Sequence, residues 1–345
     1  MLFIQPDEAV HAIGSRYISA VLKAAGHEAV ILFSPRRIDD FESERDLQAI
    51  ASFADRFSPD VIGFGFMTGH FRRVKRITEC LRSALHVPII YGGVHATCAP
   101  EHALQFADAV CVGEGESVIL NLATAFDEGR GFQGVPGIWY HSGHRIIRQT
   151  PPVRNPDLDQ LPFPDYSNHY VLQHGKISFL SPDRMRMFKY HCNGVHFIMT
   201  SRGCPGTCAF CCNQAMKHAA PGLWIRRRSV SNILDECRAA LAEFPHIEGF
   251  AFWDDSLLTS SSDWLDTFCQ RYPLEIGLPF LCNLSPDEVT EDRIRCLTRA
   301  GLSGIQMGLQ TGSDRMNRCI FNRRSRAETF IHADLVLNRF KDKLP

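Results

Sequence analysis

Cys204, Cys208 and Cys211 fall within a single short stretch, SRGCPGTCAFCCNQ. Thiolates spaced C-x3-C-x2-C can meet a metal centre from one side only, because the loop joining them has to curl around it. A four-iron cubane gripped this way has three irons bound by protein and a fourth open to a small molecule. Gly203, Pro205 and Gly206 suit such a loop, glycine by allowing close backbone approach and proline by stiffening the curve. Phe210 would set an apolar ring beside the centre and limit solvent access. Two plainer readings stay open. A structural zinc site wants four ligands, usually as two separated pairs, with Cys212 as a recruit. Unligated cysteines are ordinary small core residues. The spacing favours a 4Fe-4S cluster.

Composition narrows the setting. The chain has 345 residues, enough for two domains and a substantial core, and is 45% hydrophobic and 22% charged. A net charge of -1 argues against nucleic acid as a partner. No run of 18 apolar residues predicts a membrane span. The N-terminus, MLFIQPDEAV, lacks the basic start and long apolar core of a signal peptide. Thirteen cysteines scattered through both halves do not look like a disulfide framework. A cytoplasmic protein with reduced thiols is expected, most of the other ten being small core residues.

Residues 1–130 alternate short apolar runs with helix-period stretches. LFI (2–4), HEAVILF (27–33), DVIGFGF (60–66), VPIIYGG (87–93) and ADAVCVG (107–113) read as buried strands. This pattern predicts an α/β, Rossmann-like parallel sheet covered on both faces, with its ligand at the strand carboxyl ends. Those ends are rich in small residues: Pro6 to Gly14, Gly65 to Gly69, Gly92-Gly93-Val94-His95 and Gly113-Glu114-Gly115-Glu116. No G-x-G-x-x-G follows the first strand, which weakens a dinucleotide reading. Arg72, Arg73, Lys75 and Arg76, after His70, spread around a helix and are expected on a solvated face. Glu114 and Glu116 are expected to cap the next helix or to touch a ligand.

Residues 131–194 read as a hairpin turning at Ser142-Gly143 followed by a stiff proline-rich connector, PPVRNPDLDQLPFPDY. Residues 171–194 look irregular. From 195 the β/α alternation resumes: VHFIMTS delivers the cysteine loop, and Ser229 or Ser231 is a plausible cap for the helix SVSNILDECRAALAEF. Strands are expected at IEGFAFW, ending in Asp254-Asp255-Ser256, then at IGLPFLCN, and in SGIQMGLQTGS. Arg226, Arg227 and Arg228 precede a helix N-terminus, where cations oppose the dipole, so at least one should have an anionic partner: a ligand carboxylate or a salt bridge.

Taken together, the cysteine loop, the strand-end sequences DVIGFGFMT, IIYGGVHAT and VGEGE, and the L-D-x-L-P-F-P-D string resemble the radical S-adenosylmethionine (SAM) family that carries a cobalamin-binding domain. The resemblance implies a cobalamin-binding domain at 1–130, a connector at 131–194 and a partial radical SAM (β/α) barrel at 195–345. It implies that Cys204, Cys208 and Cys211 hold the 4Fe-4S cluster and that Asp254, Asp255, Gln310 and Gly312 contact SAM. Relatives commonly have glutamate where this chain has Gln310. His11, Thr68, Gly92, Gly93, His95 and Glu116 would contact cobalamin. His11 and Gly14 fit H-x-x-G, but Ala9 stands where an orienting aspartate belongs, so His11 as a cobalt ligand and His11 as a loop residue beside the corrin both stay open. His95 is read equally as a corrin contact or a solvated loop residue. The implied activity is reductive cleavage of SAM to a 5′-deoxyadenosyl radical, used to methylate an unactivated centre of a small molecule, with flavodoxin or ferredoxin as electron donor. A radical SAM enzyme without cobalamin, such as a cyclase, or a non-catalytic remnant are the alternatives. Only four barrel strands are expected before residue 345, against six in the family, so a fragment, or a partner that supplies the rest, is expected.

Overall fold

The computed structural model describes residues 1–8, 10, 12–188, 193–259 and 261–342. The chain divides into two compact units, each assembled from several stretches. The first comprises Met1–Arg154, Leu161–Lys189 and Ala215–Gly222; the second comprises Asn155–Gln160, Tyr190–Gln214 and Leu223–Pro345.

Nine strands of the first unit form one sheet among the described residues: β1 (Leu2–Gln5), β2 (Val30–Phe33), β3 (Ile62–Gly65), β4 (Ile89–Gly92), β5 (Ala109–Cys111), β6 (Ile138–Ser142), β7 (Arg145–Arg148), β8 (Tyr170–Gln173) and β9 (Lys176–Phe179), in the order β7-β6-β5-β4-β3-β1-β2-β8-β9. The apolar runs became the central parallel strands because helices cover both faces, leaving no polar side to alternate with. Leu2, Ile4, Val30, Leu32, Ile62, Phe64 and Tyr91 are buried in one core. The chain runs from β1 to β2 on one side, then returns to β3 on the other. This reversal opens a crevice at the carboxyl ends of β1 and β3, where ligands of such sheets bind.

Both sheet edges are finished by hairpins. Antiparallel β6 and β7 turn at Gly143 (φ 59°), as the sequence predicts. The stretch expected to be irregular instead begins with a second hairpin, β8–β9, joined in parallel to β2. His174 and Gly175 both have positive φ, the geometry of a tight two-residue turn.

Two fully buried polar side chains stand out, and the first departs from expectation. Arg73 is completely buried, ion-paired with the equally buried Glu42, and donates to the carbonyls of Ser34 (2.9 Å) and Arg36 (3.1 Å) and to that of Pro6. The solvated-face reading considered only the residue's own helix, Phe71–Ala84, whereas the loop that carries Glu42 covers this side. His169, also fully buried, accepts from the Ile31 N–H through Nδ1 (3.3 Å) and faces the Asp165 carbonyl through Nε2 (3.0 Å). Burial and the Arg16 charge drive its pKa down to about 3, so its ring is neutral at physiological pH.

In the second unit, β10 (Val195–Ile198), β13 (Gly249–Phe252), β14 (Phe280–Asn283) and β15 (Leu302–Gln306) form a parallel sheet in simple succession, while β11 (Ser201–Arg202) and β12 (Arg226–Arg227) make a small antiparallel pair. The first three main strands are each followed by a helix with a side-chain cap. Ser229 accepts from the Asn232 N–H (3.1 Å) to open Val230–Glu243, and Ser261 and Thr290 open the next two helices. This repetition is the wall of a β/α barrel, in which reacting groups sit at the carboxyl ends of the strands. A disulfide joins Cys269 and Cys296, whose Cα atoms are 5.9 Å apart on neighbouring helices. This pair departs from the reduced thiols expected from the sequence, because the cysteine count does not show that neighbouring helices bring these two together. Among the described residues, no helix is long and apolar enough to cross a membrane.

Candidate functional site

The cysteine loop leaves the sheet at the carboxyl end of β10 and is pinned on several sides. Gly203 has φ 94°, and a Cβ there would stand 2.3 Å from the Trp224 carbonyl oxygen, so only glycine fits. The Trp224 indole N–H donates to the Cys204 carbonyl at 2.8 Å, and the Gln214 amide to the Gly206 carbonyl at 2.8 Å. Inside the loop, the Gly206 N–H donates to Cys204 Sγ at 3.3 Å, and a Cβ on Gly206 would lie 3.3 Å from that sulfur and 3.8 Å from Cys208 Sγ. The bare glycine therefore leaves a cradle between two thiols.

All three thiols are half-buried. Burial pushes Cys204 and Cys208 up from the ordinary thiol range, with the Arg323 charge opposing this at Cys208. Cys211 is lowered to about 6, chiefly by a hydrogen bond from Cys212. Among the described residues, no three His, Cys, Asp or Glu side chains converge on a point where one ion could be held. Three half-buried thiols on one loop, with a bare-glycine cradle between two of them, fit a cubane, in which each cysteine takes a different iron.

Asp254 and Asp255, adjacent in sequence, face different environments. Asp254 is buried: Oδ1 accepts from the backbone N–H groups of Thr200 (2.7 Å) and Ser201 (2.8 Å), and Oδ2 accepts from the Thr200 hydroxyl. Arg227 Nη1 lies 3.8 Å from Oδ2. This carboxylate ties the end of β13 to the start of the cysteine loop. Desolvation raises its pKa, and the Arg227 charge opposes the rise. Asp255 is exposed and accepts from the Asn213 amide at 2.9 Å, two residues beyond Cys211. The second acid, rather than the first, is therefore open to a ligand.

The three consecutive arginines all find partners inside the protein. Arg228 pairs with buried Glu236, Arg227 donates to the Thr200 hydroxyl (2.8 Å) and lies 4.5 Å from the Trp264 ring centroid, and Arg226 donates to the Asn155 carbonyl (2.9 Å). Beyond β15, Gln310 and Gly312 lie on an exposed loop, Gln310 in the left-handed region (φ 64°) and Gly312 in open space.

In the first unit the strand ends gather most of the residues expected there. Thr68 and Gly93 are exposed and Gly92 is half-exposed. Gly93 has φ 82°, and a Cβ on it would sit 2.8 Å from the Phe66 backbone nitrogen. His95 is not a solvated loop residue. It is buried, with Nδ1 3.1 Å from Thr68 Oγ1 and Nε2 3.2 Å from His102 Nδ1, against the rings of Phe66 and Phe71. Burial, then His102, lowers its pKa. Glu116 is the first residue of helix Glu116–Asp127, placed to complement the helix dipole. His11 and Ala9 lie outside the described residues.

Comparison with known proteins decides the family. The B12 binding domain model matches residues 2–123, and the Radical SAM superfamily model matches residues 198–344. The chain belongs to the radical SAM proteins that carry a cobalamin-binding domain. It is 23% identical over 310 residues to an uncharacterized methyltransferase, PH0819, of Pyrococcus horikoshii, covering 88% of this chain and 61% of that protein. It is 25% identical over 312 residues to the anaerobic magnesium-protoporphyrin IX monomethyl ester cyclase of Rubrivivax gelatinosus, covering 86% and 51%. The fold matches that of the radical SAM methyltransferase TsrM from Kitasatospora setae, solved with tryptophan and a SAM analogue, with a TM-score of 0.76 and 18% identity over 98% of this chain and 65% of that one. The chain thus spans between half and two thirds of the length of these relatives.

Sequence reasoning missed the inward turn of Asp254 and the partners His102 and Asn213. Adjacent acids after a buried strand look alike in one dimension. A second histidine seven residues after His95 was the available signal for His102.

Proposed function

We propose that this chain is a cobalamin-dependent radical SAM enzyme, or its catalytic portion, that methylates an unactivated centre of a small molecule in the cytoplasm. The observation that carries this reading is the cysteine loop. Three half-buried thiols stand on one pinned loop at the carboxyl end of the first strand of a parallel β/α sheet. When bound, the cluster and cobalamin supply one-electron cleavage of SAM and a methyl carrier, and the protein's contribution is binding, orientation and exclusion of water.

Cys204, Cys208 and Cys211 would hold the cluster. Asp255, exposed beside Asn213, can accept hydrogen bonds from the SAM ammonium, strengthened by charge. Asp254 would act through the chain rather than on the ligand, by fixing where the loop departs from β10. Gln310 and Gly312 offer the other wall, Gln310 with an uncharged amide. Thr68, Gly92, Gly93 and His95 would line the corrin at the β1–β3 crevice, with Glu116 at its margin; His11, outside the described residues, stays a candidate from the sequence. A flavodoxin or ferredoxin is the expected electron source.

A cyclisation without net methyl transfer is the second reading, favoured by the similarity to the Rubrivivax gelatinosus cyclase. Anaerobic reconstitution with iron, sulfide and hydroxocobalamin tests both cofactors at once. Retained corrin absorbance, with iron and sulfide in cluster proportion, is the expected result. A Cys204/Cys208/Cys211→Ala variant that keeps its iron would overturn the cluster assignment, and no retained corrin would remove cobalamin. Methyl incorporation from labelled SAM separates transfer from cyclisation.

A further inference from the structure

The outer side of the cysteine loop rests on a turn that no motif marks. Residues Met316–Ile320 form a wide helical turn, and the three that follow reach back to the loop. The Ala209 N–H donates to the Phe321 carbonyl at 2.8 Å. The Asn322 side-chain amide donates to the Thr207 carbonyl at 3.0 Å and to its hydroxyl at 3.2 Å. The Phe210 ring meets the Phe321 ring edge-on, with centroids 5.2 Å apart. Asn322 itself is in the left-handed region (φ 48°), which asparagine tolerates better than most residues.

The same turn also grips the loop after β15. Asn317, fully buried, donates through its amide to the Thr311 carbonyl at 3.3 Å and accepts at its own carbonyl from the Arg323 N–H at 2.8 Å. Arg323 Nη2 donates to the Gly308 carbonyl at 2.6 Å. A single turn therefore holds the cysteine loop with one hand and the loop bearing Gln310 and Gly312 with the other.

We infer that the Asn317–Arg323 turn is a brace that sets the spacing between the cysteine loop and the Gln310 loop, with Asn322 as its positioning residue on the cysteine side. The inference rests on the cluster reading proposed above. Its physical basis is that Ala209 and Phe210 are exposed and Thr207 is only half-buried, so the outer rim of the loop has little packing of its own. Hydrogen bonds from a second element substitute for that packing and oppose opening of the rim. Asn322 is exposed, so replacing it should leave the fold intact.

The test compares the wild type with Asn322→Gly, Asn322→Asp and Ile320→Ala after anaerobic reconstitution. Glycine keeps the left-handed backbone and removes the amide, aspartate keeps the shape but cannot donate, and Ile320 is an exposed control in the same turn. Three readouts are taken: the rate of iron loss to a chelator, the electron paramagnetic resonance line shape of the reduced cluster, and hydrogen exchange at the Ala209 amide. Asn322→Gly and Asn322→Asp are expected to lose iron and exchange roughly two- to tenfold faster, the range for one net lost hydrogen bond. Both should show an altered line shape with the unfolding midpoint lowered by no more than about 6 °C, while Ile320→Ala behaves as wild type. Wild-type rates and line shape in both Asn322 variants would refute the brace while leaving the cluster reading intact. A wild-type protein that takes up no iron would sink both.

Discussion

Replacing Asp254 with asparagine separates a tether from a ligand. In the wild type, one carboxylate oxygen accepts two backbone N–H groups at 2.7 and 2.8 Å, and the other accepts the Thr200 hydroxyl and faces Arg227 at 3.8 Å. Asparagine retains the first oxygen and loses the charge and the second acceptor, leaving the Arg227 charge without its carboxylate. Breaking a buried ion pair by removing one partner costs about 3–5 kcal/mol. Asp254 carries its own desolvation penalty, seen in its raised pKa, which offsets part of that loss. A net destabilisation of about 2–4 kcal/mol is therefore expected, or a fall of roughly 4–16 °C in the midpoint for a unit of this size. Thermal unfolding of the cluster-free protein under anaerobic conditions measures it, with iron uptake and SAM affinity recorded on the same samples. If Asp254→Asn melts within about 1 °C of wild type while SAM affinity alone collapses, the tether is wrong and the carboxylate is a ligand.

His169 predicts a pH effect in the first unit. Its pKa falls from 6.5 unfolded to about 3 folded, so the unfolded chain takes up a proton first and stability is lost as pH drops from about 6.5 towards 3; urea midpoints between pH 7 and 5 should fall steeply in wild type and less in His169→Gln. Below that, Asp165 joins in: burial raises its pKa, but hydrogen bonds from Lys23, Ser167 and Ser19 outweigh burial and hold it at about 2, so its contribution vanishes as pH falls from 3.8 to about 2. Reduction of Cys269–Cys296, which closes a loop between residues 27 apart, should lower the midpoint of the second unit by roughly 7–14 °C on the chain-entropy account, and a Cys269→Ser variant should show no response to reductant.

The strands that run apolar from end to end were legible in the chain because a fully covered parallel sheet leaves an uninterrupted signature, as in AVILF and VIGFGF. The cysteine loop was visible for a different reason: the spacing of its residues is local, so one dimension carries it. The β8–β9 hairpin was not. Its two arms are short, half-buried segments, YVLQ and KISF, and the only marker is the His174-Gly175 turn. Arg73 illustrates the deeper limit. Val74, Ile77 and Leu81 recur at helical spacing and are buried, but an arginine beside them looks solvated unless the distant Glu42 is known to cover it. The Asn322 contacts have the same character, since 115 residues separate them from Thr207 and nothing in either segment names the other.

The interleaved make-up of the two units has a practical outcome. The polypeptide shuttles between them, with Asn155–Gln160 assigned to the second unit before Leu161–Lys189 returns to the first, and Ala215–Gly222 assigned to the first although it directly follows the cysteines. Arg154 shows why that last piece matters, donating to the carbonyls of Met216 (2.6 Å), Lys217 (3.0 Å) and Ala220. No single scission can release either half intact. A vitamin-binding fragment ending at the β6–β7 hairpin would lose β8 and β9 from the edge of its sheet, and one ending after β9 would strand the Arg154 guanidinium. Swapping modules between homologues at one junction should accordingly fail where exchange of whole chains succeeds.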